Sequence, residues 1–175
     1  MPAWVGRTYG GTTTSATSAP SAAARLAEHP RIVGIKEARN DAERMEALLP
    51  LRSDGFVVLS GDDPTAARAM LAGADGIVSV ASNVLPHAMR RLCELSRNGR
   101  ADDAAALDAE LQPLFDFLAV EPNPIPLKAV LARMQFGHGL RLPLLPLSQA
   151  HAGEADLATT RIQQLEQACR DSSAA

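Results

Sequence analysis

Three short runs of apolar residues, at positions 31–36, 56–60 and 76–80, recur about twenty residues apart. None alternates apolar with polar, as a strand with one wet face would. Continuous apolarity requires cover on both faces, which parallel sheets obtain from helical crossovers. The intervening segments carry helix punctuation. Asn40 followed by Glu43 has the spacing of a capping box and predicts a helix reaching about Leu49. Gly61-Asp62-Asp63-Pro64 reads as a turn, with Asp63 as N-cap and Pro64 at the first helical position of a helix that ends near Gly73. A further helix starts near Val84. Strand and helix in strict alternation define an α/β fold, either a barrel or an open doubly wound sheet.

Downstream the pattern turns helical. Leu85, Met89, Leu92 and Leu95 share one face, as do Leu107, Leu111, Leu114 and Leu118, with Asn98-Gly99 between the two helices. Three prolines within residues 121–126 make a rigid break, after which Leu127, Val130, Leu131 and Met134 mark another helix. Residues 141–144 read as extended, and Ala158, Ile162, Leu165 and Cys169 define a last amphipathic helix. The start of the chain differs from all of this. Residues 1–24 are rich in Thr, Ser, Ala and Gly without an apolar face, a composition that predicts disorder. The expected organisation is therefore 1–24 low complexity, 25–98 strand–helix units and 99–175 a helical region.

Composition excludes several classes. The chain of 175 residues is long enough for a hydrophobic core, and its 46% hydrophobic and 21% charged content is that of a water-soluble globular protein. A net charge of −3 argues against a nucleic-acid or membrane surface, and a cytoplasmic location is expected. Cys93 and Cys169 stand far apart and form no C-x-x-C pair, which fits a reducing compartment. The histidines at 29, 87, 138 and 151 show no metal-ligand spacing, so surface or capping roles are expected and no metal is implied. The sequence has neither a Gly-rich nucleotide fingerprint nor a G-x-S-x-G, so no nucleotide cofactor and no serine nucleophile is expected.

Lys36 is the residue with chemical content. It ends the first apolar run, where α/β folds place their active sites. An amine enclosed there is desolvated and becomes a nucleophile toward carbonyl carbons. The plainer alternative is a lysine that caps a strand and reaches water. Asp62 and Asp63 admit acid–base work or simple helix capping. Glu37, the next residue along the strand, points to the side opposite Lys36.

The strings GIKEA at 34–38, LSGDD at 59–63, GIVSV at 76–80, EPNPIP with Lys128 at 121–128 and RLPL at 141–144 resemble the dihydrodipicolinate synthase family, in its order and spacing, over residues 25–168. The resemblance implies the last three strands of a (β/α)8 TIM barrel, followed by a helical carboxyl-terminal region. It implies that Lys36 condenses with pyruvate to a Schiff base, whose enamine attacks aspartate semialdehyde to give 4-hydroxy-tetrahydrodipicolinate in lysine biosynthesis. Val78 matches a strand residue whose backbone lies beside the substrate, and Gly61 a pocket-lining position. Val5-Gly6-Arg7-Thr8 echoes an upstream element whose arginine binds the semialdehyde carboxylate, though without its proline. The partners implied are pyruvate, aspartate semialdehyde and further copies of the chain; no metal or nucleotide is needed. Nothing corresponds to the family's amino-terminal half, which predicts a truncated or frame-disrupted coding sequence with little activity alone. EPNPIP and RLPL favour this family over its relatives that use N-acetylneuraminate or keto-deoxy sugars. A catalytically inert partner of full-length barrels is the alternative of another class.

Overall fold

The computed structural model describes residues 19–137 and 139–174. Its sheet has three parallel strands in the order β1 (Gly34–Glu37), β2 (Val57–Ser60) and β3 (Gly76–Ile77). Lys36 is in register with Leu59, and Leu59 with Gly76. Helices α2 (Ala42–Leu48) and α3 (Ala66–Leu71) make the crossovers, and α1 (Pro20–Ala27) packs beside α2. Four longer elements follow: α4 (Pro86–Arg97), α5 (Ala101–Leu118), α6 (Ile125–Arg133) and α7 (Ala152–Ala174). Among the described residues no helix is long and apolar enough to cross a membrane. The α/β architecture is thus as the apolar runs predict.

Alternation along the strands decides which side chains meet the helices. Val58 is fully buried, and Ile35 packs with it against Met45 and Leu48 of α2 and Met70 of α3. On the opposite face lie Gly34, Lys36, Val57, Leu59 and Gly76, which no helix of the described residues covers. Continuous apolarity therefore has two causes: Val58 and Ile35 are helix-covered, whereas Val57 and Leu59 stand half-buried on the open face. Ile35 and Val58 belong to the helix side. Gly34 has a local reason of its own, since a methyl group there would stand 2.6 Å from the Val57 carbonyl oxygen.

The second core lies between the helices. Leu85, Leu92, Leu111, Phe115, Val130 and Ile162 pack together, bringing α4, α5, α6 and α7 around one apolar centre. Several ends differ from expectation. The first crossover helix is capped by Asp41, whose carboxylate accepts from the Arg44 amide at 3.0 Å, one residue after the expected Asn40. Helix α6 begins at Ile125, inside the proline-rich break, because a proline in the first turn loses no helical hydrogen bond. Residues 141–144 form a turn closed by the Leu144 amide donating to the Arg141 carbonyl at 3.0 Å, so they are not extended. Pro20–Ala24, expected within the low-complexity stretch, form the first turn of α1; residues 1–18, with Arg7, lie outside the described residues.

Candidate active site

All three strands run in one direction, so their carboxyl ends share one rim of the sheet. Lys36 sits in β1 one residue before its end, Gly61 directly follows β2 and Val78 directly follows β3. Backbone ladders hold them in place: the Gly61 amide donates to the Glu37 carbonyl at 2.7 Å, and the Val78 amide to the Ser60 carbonyl at 2.8 Å. The Lys36 stem crosses the backbone at Gly61 so closely that a methyl group there would lie 2.2 Å from Lys36 Cε. Lys36 and Gly61 are thus in direct contact, with Val78 one strand further along the rim. Lys36 is exposed rather than enclosed, and Val78 is 47% exposed. Arg7 lies outside the described residues.

The loops below this rim are held by carboxylates. Glu37, 5% exposed on the helix side as expected, pairs with the Arg44 guanidinium and accepts from the Arg39 amide at 2.9 Å. It anchors the β1–α2 loop from beneath Lys36 and does not touch its amine side. Asp63 is 8% exposed and accepts from the amides of Val80 and Ala81 at 3.0 and 2.8 Å. It ties the loop after β2 to the loop after β3 and does not cap the helix that follows it, which has no side-chain cap. Asp62 accepts instead from the Thr65 hydroxyl at 2.7 Å. Both aspartates hold loops through hydrogen bonds, and neither caps the helix after β2. The cross-loop tie of Asp63 leaves no trace in local sequence, because its partners lie 17 and 18 residues away.

A groove of about 560 Å³ runs along the outer edge of β3, between Val57, Leu59 and Val78 and the Cys93 and Arg97 side chains of α4. Burial pushes the Cys93 thiol up, with Arg97 opposing and Glu94 adding to the rise, so the group is held as a neutral thiol. His87 pairs with Glu166 and His151 with Glu154, which are capping and surface roles. Among the described residues no group of three His, Cys, Asp or Glu side chains converges.

Parallel strands, helices on one face and a lysine at the carboxyl rim define an α/β protein that carries a strand-end amine. The chain belongs to the Dihydrodipicolinate synthetase family, whose sequence profile matches residues 11–161. The match begins upstream of residue 25, inside the Ser/Thr/Ala-rich stretch. A relative from Xanthomonas axonopodis pv. citri (strain 306), named 4-hydroxy-tetrahydrodipicolinate synthase, is 62% identical over 137 residues, covering 78% of this chain and 45% of the relative. One of the same name from Stenotrophomonas maltophilia (strain K279a) is 57% identical over 147 residues, covering 84% and 50%. Among solved structures, the chloride-inhibited dihydrodipicolinate synthase of Acinetobacter baumannii, complexed with pyruvate, has a TM-score of 0.78 at 38% identity and covers 83% of this chain and 50% of its own. The synthase of Methylacidiphilum fumariolicum SolV gives 0.79 at 35% identity, covering 87% and 52%. The chain spans about half the length of the relatives it matches.

Proposed function

We propose that this chain supplies the Schiff-base lysine of a 4-hydroxy-tetrahydrodipicolinate synthase, and that its three strands are the last three of a (β/α)8 barrel. The observation that carries the reading is Lys36 at the carboxyl rim with its stem laid across Gly61. Names shared by the high-identity relatives support aspartate semialdehyde over a sugar aldehyde as acceptor.

In this reading the Lys36 amine adds to C2 of pyruvate, and the carbinolamine loses water to give a protonated imine. Loss of a proton from C3 gives the enamine, whose C3 bonds to the aldehyde carbon of the semialdehyde. The semialdehyde's own amine then closes onto C2 and displaces Lys36, which returns as a free amine. The imine itself is the electron sink, so the scheme requires neither metal nor nucleotide. Gly61 leaves room for the lysine stem, and the Val78 backbone lines the pyruvate side. Arg7 is assigned the semialdehyde carboxylate. In this reading the exposed Lys36 gains its enclosure and acid–base help from the remaining barrel strands. Assembly with further copies of the chain and a cytoplasmic setting belong to the same reading, as does the division into residues 25–98 and 99–175.

The test joins residues 25–175 to a family amino-terminal half and traps the imine with pyruvate and borohydride. The Lys36 peptide should gain the mass of a reduced pyruvyl group, Lys36→Ala should lose it and Lys128→Ala should keep it. A label that survives Lys36→Ala moves the chemistry elsewhere, and preference for N-acetylmannosamine over aspartate semialdehyde moves the assignment to the sugar lyases.

A further inference from the structure

The connection from α6 to α7 folds back on itself. Gln135 and Gly137 both adopt left-handed backbone, with φ of 58° and 79°, and turn the chain toward the helix it has just left. Lys128 Nζ consequently lies 4.0 Å from where a Gly137 Cβ would stand. The turn closed between Arg141 and Leu144 then brings a second cation to the same place. Lys128 and Arg141 line one groove of about 430 Å³ with Pro124, Leu140 and Leu144, and no carboxylate of the described residues lines it.

No carboxylate of the described residues is paired with either cation. Among the described residues the side chains of Lys128 and Arg141 have no hydrogen bond and no ion pair, whereas Arg39, Arg44, Arg52, Arg90, Arg100, Arg133 and Arg161 each have a carboxylate. Glu121, the carboxylate closest in sequence to Lys128, accepts from the Ser148 amide at 3.0 Å. Lys128 is half-buried and Arg141 exposed, and both line the same groove. A ligand with two negative charges can be met by both, and Arg141 offers it a planar fork of donors.

We infer that the groove between Lys128 and Arg141 is a binding site for a small dianion with a short apolar body, a dicarboxylate or a phosphate monoester. Pro124, Leu140 and Leu144 take the apolar part. The groove shares no lining residue with Lys36, Gly61 or Val78, and the inference does not depend on the Schiff-base reading.

Calorimetric titration of the full-length chain at constant ionic strength tests it, with succinate in one arm and inorganic phosphate in the other. Saturable binding in the millimolar range or tighter is expected in at least one arm. Succinate alone assigns a dicarboxylate, phosphate alone a phosphate ester, and both the shared dianion chemistry. Lys128→Gln and Arg141→Gln should each weaken binding by about tenfold. Arg161→Gln, which breaks a remote pair with Glu110, should leave it unchanged. Non-saturable heats in both arms, or undiminished binding in the Lys128→Gln/Arg141→Gln double variant, would overturn the site.

Discussion

A methyl group at Gly61 would meet three atoms at once: Lys36 Cε at 2.2 Å, and Lys36 Cγ and the Ala38 Cβ each at 2.9 Å. The far end of a lysine can swing away, but Cγ is held close to the strand and Ala38 is fixed by the loop. Gly61→Ala is therefore expected to displace the amine while leaving the sheet intact. In the completed barrel the rate of pyruvate trapping at Lys36 should fall about tenfold or more, as small misplacements of reacting groups do. Thermal stability should change little, and equal losses of stability and trapping would mean a general disruption instead. This contact shows what was legible at the residue scale. Lys36 announces itself, because a charge at the end of an apolar run has few explanations. Gly61 was legible as a family position, but its physical reason, a side chain from the neighbouring strand crossing it, needs the register of Lys36 against Leu59. Pro64 gives Asp63 the local pattern of a cap, but its partners, Val80 and Ala81, come from another loop that no local pattern connects to it.

Among the elements, α7 meets the start of α4 through a buried carboxylate. Glu166 accepts from the amides of His87 and Ala88 at 2.9 and 3.3 Å and pairs with the His87 ring, so one residue of α7 caps the start of α4. Glu166→Ala would leave those amides without a partner and should cost about 2 kcal/mol, read as a lower midpoint in denaturant. Glu166→Gln, which still accepts from an amide, should cost less. Asp108 on α5 gives the opposite sign. Burial pushes its carboxyl up, the hydrogen bond from Gln112 opposes the rise, and one oxygen is buried without a partner. With the folded value above the unfolded one, stability falls as pH rises through that window, and the full penalty remains above it. Asp108→Asn removes the penalty. Its gain should be largest at neutral pH and shrink as pH drops below the ordinary carboxylate range. Solvent screening of the half-exposed group keeps it to roughly 1 °C in Tm. Apolar spacing located the cores of α4, α5, α6 and α7 because their stripes face one shared centre. It did not locate helix ends: Asp41 replaces Asn40 as the cap of α2, and α6 starts at Ile125 among prolines.

For the whole molecule the open sheet governs behaviour. In the order β1-β2-β3 both outer strands keep an unpaired edge among the described residues, and the face bearing Lys36, Val57 and Leu59 has no layer over it. Val33 beside β1 is 69% exposed and Val78 after β3 is 47% exposed, so both edges present apolar side chains. Three strands cannot close a barrel, whose tilt and shear are set by strand number. At about 25 cal/mol per Å², each large side chain left in water forfeits on the order of 1–3 kcal/mol, against a whole-domain stability of about 5–15 kcal/mol. Unpaired edges of this kind pair with other chains. The 175-residue chain by itself is therefore expected to sediment as concentration-dependent assemblies and to turn over aspartate semialdehyde near background in a coupled assay. Lysine at Val33 and at Val78 should shift the distribution toward monomer, because a charge on an edge strand opposes pairing. A compact monomer at all concentrations with turnover like that of the full-length relatives would mean that the open face is covered within the chain, and the half-barrel reading would fail.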